Sequence, residues 1–358
     1  VIGVDAMSDV MEELTEDAAC GTGMAEATLL PVNIMLMFDR SGSMIMNGTP
    51  TRWDVATSAL QAFFESPEAD GLGVALRFFP HDEPAAGCTA DGCACDSAAC
   101  AEVLVDMGTL LVDPAPMDAQ EAALVQAIVD SPPENGGPGN ACDMDFGNTP
   151  IYPALDGALR WATAYQMANA DQKTVVVFVT DGEPAGGCND DFDQIDQLAA
   201  DALASANINT YVIGLADENG DGVNPDDMNG LAMAGGTEEA FFVNDGPTAA
   251  MDLLETFNAI RGMEISCDFP MPEATEDGDE IDPGLVNVTF SSGSGDPVTF
   301  TKVADAAGCD TAQSWYYDNE AMPTQIHLCP AACEAVTNVP MASVQVLVGC
   351  KPMIEPPH

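Results

Sequence analysis

Positive charge is nearly absent from this sequence. Eight Lys and Arg residues stand against 59 Asp and Glu in 358 residues, a formal net charge of −51 at pH 7. A surface of that sign repels phosphate backbones and anionic headgroups, which excludes nucleic-acid binding and membrane attachment through basic patches. Histidine is almost as scarce: only His81, His327 and His358 occur. No H-E-x-x-H, G-x-S-x-G or G-x-x-x-x-G-K-[ST] pattern is present, so the chain is expected not to be an enzyme. Long apolar runs are missing too. The longest, "LLPVNIMLMF" and "TVVVFVT", are too short to cross a bilayer. The opening "VIGVDAMSDVMEELTEDAAC" has neither a basic region nor an apolar block, so a secretion signal is expected to have been removed from this sequence.

Cysteine, by contrast, is plentiful. Cys20, Cys88, Cys93, Cys95, Cys100, Cys142, Cys188, Cys267, Cys309, Cys329, Cys333 and Cys350 are even in number and flanked by Gly, Pro, Asn and Asp. They read as disulfides, and so as an oxidising, extracellular or cell-surface location. The C-x4-C-x-C-x4-C spacing at 88–100 invites a metal-site alternative, but it holds no histidine and no paired C-x2-C knuckles. Two closed sets are expected: 88, 93, 95, 100, 142 and 188 in one, and 20, 267, 309, 329, 333 and 350 in the other.

Between Leu30 and Arg261 short β-rich runs alternate with helical stretches. The runs are "VNIMLMFD", "GVALRFFP", "KTVVVFVTD", "INTYVIGLA" and "EAFFVN", apolar on both faces. Such runs mark parallel strands covered by helices, and the fold class expected is a doubly wound α/β sheet. "AEVLVDMGTLL" suits an antiparallel edge. From Cys267 on, in a stretch holding five cysteines with Cys267 itself, the texture becomes Pro- and acid-rich and then turns to short strands. The expected division is an acidic segment 1–29, an α/β domain 30–262, a linker 263–283 and a β-rich appendage 284–358.

The first strand runs into "DRSGSM", placing Asp39, Ser41 and Ser43 at alternate positions. Ligands of open α/β sheets sit outside the carboxyl ends of strands. Asp181 ends a second strand in "VVVFVTDGEP", and Thr149 precedes a helix in "FGNTPIYPAL". Two carboxylates and three hydroxyls, all hard oxygens, suit Mg²⁺, Mn²⁺ or Ca²⁺. The bland alternative for D-x-S-x-S alone is an Asx-turn capping a helix.

These motifs, in this order, resemble the von Willebrand factor type A domain and its metal-ion-dependent adhesion site over about residues 30–262. The Cys-rich stretch after "RFFPHDEP" and the part past Cys267 resemble secreted bacterial relatives of myxobacterial type. The resemblance implies that the serines and threonine contact the metal, with the aspartates acting directly or through water. It also implies a partner that presents a carboxylate: a protein, a surface ligand, or another copy of the chain.

A second acidic stretch, "DENGDGVNPDD", places Asp217, Asn219 and Asp221 at alternate positions before Gly222, like the first half of an EF-hand loop. Met228 stands where the bidentate Glu belongs, leaving Asp226 or Asp227, with the Val223 carbonyl, as substitutes. A plain polar turn explains the stretch equally well. Two functional classes follow: a secreted metal-dependent adhesion protein, or a structural subunit of an extracellular filament or surface assembly.

Overall fold

The computed structural model describes residues 25–27, 32–45, 50–80, 96–111, 118–133, 149–170, 172–185, 188–216, 222–244, 248–264, 267–271, 281–291, 297–309, 313–337 and 343–350. Two compact units divide the chain. One is Leu30–Ile265; the other joins Val1–Leu29 to Ser266–His358.

The described course opens with β1 (Ala25–Ala27), which belongs to the discontinuous unit, and then enters the α/β unit. There β2 (Val32–Asp39), α1 (Arg52–Phe64), β3 (Gly73–Phe79), α2 (Ser97–Cys100), β4 (Val105–Thr109) and α3 (Ala119–Asp130) come first. They are followed by α4 (Ile151–Ala168), β5 (Lys173–Thr180), α5 (Phe192–Ala206), β6 (Asn209–Ala216), α6 (Pro225–Ala234), β7 (Phe241–Asn244) and α7 (Ala249–Glu264). The six strands lie in the order β4-β3-β2-β5-β6-β7, parallel except for β4, which runs antiparallel to β3 at the edge. This is the expected doubly wound sheet.

Alternation along the strands separates two apolar layers. Val32, Ile34, Leu36 and Phe38 of β2 pack with residues of α1, α3 and α7, whereas Met35 and Met37 face α4, α5 and α6. Burial on both faces is why these strands are continuous apolar runs. α1 starts at a capping box: Thr51 Oγ1 accepts from the Asp54 amide, and Asp54 accepts from the Thr51 amide. Trp53 then anchors the helix edge-on against Phe38 and tilted against Phe78.

Sequence patterning missed α6. Its Asp226 and Asp227 occupy the first turn of a helix capped by Asn224, which is where carboxylates favour the helix dipole.

The discontinuous unit adds β8 (Asp268–Pro270), β9 (Ile281–Ser291), β10 (Val298–Lys302), β11 (Ser314–Tyr317), β12 (Gln325–Leu328), α8 (Pro330–Thr337) and β13 (Ser343–Cys350). Its sheet runs β1-β13-β9-β10-β11-β12-β8. The expected division is corrected here on two points. The 1–29 segment is not separate, because β1 pairs antiparallel with β13, Glu26 opposite Gln345. The 263–283 stretch is not all linker, because β8 lies within it and pairs with β12.

Disulfides Cys267–Cys333 and Cys309–Cys329 pin this unit, both inside the second expected set. Cys100 and Cys188 are also disulfide-bonded. Cys20, Cys88, Cys93, Cys95 and Cys142 lie outside the described residues, as does the side chain of Cys350.

Candidate metal centre

In the sheet, β2 and β5 are neighbours whose onward connections run to opposite sides, β2 to β3 and β5 to β6. That divergence opens a crevice at their carboxyl ends. Asp39 is the last residue of β2, and Asp181 directly follows β5.

The turn after β2 is built by its own side chains. The Ser41 amide donates to Asp39 Oδ1 at 2.7 Å, and the Met44 amide closes on the Ser41 carbonyl at 3.1 Å. The Arg40 amide donates to the Phe79 carbonyl of β3 at 2.7 Å, fixing the exit of the chain. Asp39 Oδ2 accepts the Thr180 hydroxyl at 2.7 Å. Sequence reasoning passed over Thr180; a hydroxyl inside an apolar strand is itself a signal, since it must find a partner.

Asp181 faces two ways. Its Oδ1 accepts the Ser43 hydroxyl at 2.5 Å and lies 3.5 Å from Ser41 Oγ, while Oδ2 pairs with Arg52 Nη1 at 3.0 Å. The serine hydroxyls are 2.9 Å apart. Thr149 is drawn in by its carbonyl, which accepts the Ala185 amide of the loop after β5 at 2.9 Å. A Cβ on Gly182 would lie 3.1 Å from Thr149 Oγ1 and 3.9 Å from Ser43 Oγ, so that glycine sits between the two hydroxyls. All five sequence-predicted residues therefore meet at one place. Asp39, Ser41, Thr149 and Asp181 are buried, and Ser43 is the partly exposed member.

The electrostatics are unfavourable without a cation. Burial, then repulsion from Asp181, pushes the Asp39 carboxyl up to about 7, against the hydrogen bonds from Thr180 and Ser41. Burial likewise raises Asp181, opposed by Ser43 and Arg52. Arg52 offsets one of two buried carboxylates, while Asp39 accepts from two neutral donors, the Ser41 amide and the Thr180 hydroxyl. A convergent set of hard oxygens carrying this excess of negative charge fits a divalent cation.

The second cation motif receives less. Asp217, Asn219 and Asp221 lie outside the described residues. Met228, at the twelfth position, is fully buried in the core, and Val223 is buried as well. Asp227 accepts from Asn224 Nδ2 at 2.7 Å, a contact internal to the start of α6. Among the described residues no group of three His, Cys, Asp or Glu side chains converges as a metal site.

Gly222 has a different part. Its φ of +133° is a region that favours glycine, and a Cβ there would stand 3.0 Å from the Asp181 carbonyl and 3.5 Å from Arg52 Nη1. The backbone after β6 thus closes directly over the Arg52–Asp181 pair.

Fold and site together define an α/β protein with an oxygen-lined crevice at the switch point of its sheet. No known protein-family model matches the chain, and no curated protein matches it in sequence. The chain is similar to several solved structures, each at a low TM-score. Manganese-loaded TRAP protein of Plasmodium vivax is 16% identical, with a TM-score of 0.36, 65% of this chain covered and 75% of that one. The adhesive tip pilin GBS104 of Group B Streptococcus agalactiae is 12% identical, with a TM-score of 0.39, 90% of this chain covered and 79% of that one. The pilus adhesin RrgA of Streptococcus pneumoniae is 10% identical, with a TM-score of 0.40, 90% of this chain covered and 56% of that one. Similarity this low says nothing about ligands.

Proposed function

We propose that this is a non-catalytic, extracellular protein of the von Willebrand factor A type, which uses Mg²⁺, Mn²⁺ or Ca²⁺ to grip a carboxylate on a protein or surface partner. The observation supporting this reading is the convergence of Asp39, Ser41, Ser43, Thr149 and Asp181 at the β2–β5 crevice. Ser41, Ser43 and Thr149 would hold the cation through neutral hydroxyl oxygens. Asp39 and Asp181 orient the surrounding groups and carry the balancing charge: Asp39 accepts the Ser41 amide, and Asp181 accepts the Ser43 hydroxyl. When bound, the cation supplies a coordination position for one more anionic oxygen. Disulfides in both units support an oxidising compartment.

The overall charge of −51 shapes how such a partner binds. An acidic partner is repelled by the surface and is held only where it reaches the cation. Association should therefore vanish with EDTA and survive high salt, the reverse of a contact between surface charges. Co-sedimentation of native material, with and without chelator, reads this directly. Association indifferent to EDTA and to Asp181→Ala would overturn the adhesion reading and leave the chain as a building block of an assembly, with its crevice idle.

A further inference from the structure

Arg52 is an unusual place for one of only eight basic residues. It is the first residue of α1, where the positive end of the helix dipole disfavours a cation. It is also 5% exposed, and a buried guanidinium is costly unless an acid partners it. Its position is imposed from both sides. Trp53, the next residue, is wedged against Phe38 and Phe78, and Gly222 packs beside Nη1. The acid it meets is Asp181, at the oxygen opposite the one that takes the serine hydroxyl.

We propose that Arg52 is a specificity-determining residue of the cation site: a fixed internal counter-charge that weakens metal binding and strengthens the hold on an anionic partner. The inference rests on the cation reading above. Two carboxylates would neutralise a divalent cation completely, and a neutral centre has no pull on a carboxylate, least of all inside so acidic a protein. With Arg52 against Asp181 the filled site keeps one net positive charge. The same residue serves the metal-free site, where it offsets the buried Asp181 carboxylate.

Arg40 and Arg77 are buried at the same end of the sheet, Arg40 just past β2 and Arg77 in β3 opposite Met37. Arg77 is pulled down to about 10 by burial, and none of its guanidinium nitrogens has a hydrogen-bond partner among the described residues. The end that would meet an acidic partner thus concentrates the chain's scarce positive charge.

The test compares wild type, Arg52→Gln and Arg52→Lys by Mn²⁺ calorimetry, by acetate titration of the Mn²⁺-loaded protein followed through water-proton relaxation, and by melting with and without Mn²⁺. In Arg52→Gln, losing a charge one carboxylate away from the metal should tighten Mn²⁺ about tenfold and weaken acetate by a similar factor. Its Tm should fall without Mn²⁺ and recover with it. Arg52→Lys, which keeps the charge, should hold both constants near wild type. A merely structural Arg52 would lower Tm equally with and without Mn²⁺ and leave both constants unchanged, which overturns the proposal. Equal tightening in both variants overturns it as well, because the sign of the charge would then be irrelevant. Absence of Mn²⁺ uptake by wild type removes the cation reading itself, and this inference with it.

Discussion

Asp39→Ala should abolish divalent-cation uptake at the crevice while leaving the protein folded. The side chain is fully buried at the end of β2, and both its oxygens are engaged, one by the Ser41 amide and one by Thr180. Removing it deletes one of two carboxylates and frees the turn that presents Ser41 and Ser43. The fold should survive, because the apolar layers on either side of the sheet do not depend on this residue. Two donors lose their acceptor, at about 1–3 kcal/mol each. Relief of a buried, mutually repelling carboxylate pair offsets part of that cost.

The isosteric Asp39→Asn separates charge from shape. Asp39 has a carboxyl raised from 3.8 to about 7, so the native metal-free protein keeps a proton there that the unfolded chain has released. Its contribution to stability is therefore full below about pH 4 and is lost as pH rises to about 7. Metal uptake runs the other way and improves as that proton leaves. Asparagine should flatten this part of the pH profile of metal-free melting and still bind no metal. Calorimetry and melting at several pH values check both expectations; unchanged metal uptake in either variant would contradict them.

The second large effect is expected at Cys267–Cys333. This bridge spans 66 residues and ties the start of β8 to α8. Closing a loop of that size removes enough unfolded-state entropy to stabilise by about 4 kcal/mol. The unit it serves has a small core around Trp315, Val288 and Ile326, so a loss of that size should leave it close to unfolding. The double change Cys267→Ala/Cys333→Ala should accordingly expose the Trp315 indole to quenchers. Mn²⁺ uptake should persist, since every candidate ligand lies in the other unit. Loss of metal uptake together with the Trp315 signal would contradict this separation.

What the sequence made legible follows from periodicity. β2, β5 and β6 are buried on both faces, so they stand out as Val-, Ile- and Met-rich runs, and the carboxyl ends of β2 and β5 carry the site aspartates. The hydroxyls of Ser41 and Ser43 were readable from D-x-S-x-S, and that of Thr149 from its place just ahead of a helical stretch in "FGNTPIYPAL".

Elements whose signals compete were not. α6 begins in Pro225-Asp226-Asp227 and contains Gly230, residues that also announce a turn, and only tertiary burial of Met228 and Leu231 decides for helix. β1 is three residues long, and its pairing with β13 joins positions more than three hundred residues apart, which no local pattern encodes. Arg52 left a weak trace. A cation in the first turn of a capped helix works against the dipole, and such a misfit is a reason to look for a buried acid nearby.

One measurement bears most directly on the central claim: anomalous scattering from crystals of the native protein soaked in Mn²⁺. A single strong peak is expected in the crevice between β2 and β5, within coordination distance of the Ser41, Ser43 and Thr149 hydroxyl oxygens, and lost in Asp39→Ala crystals. A map without density there, or with manganese only elsewhere on the acidic surface, would contradict the account.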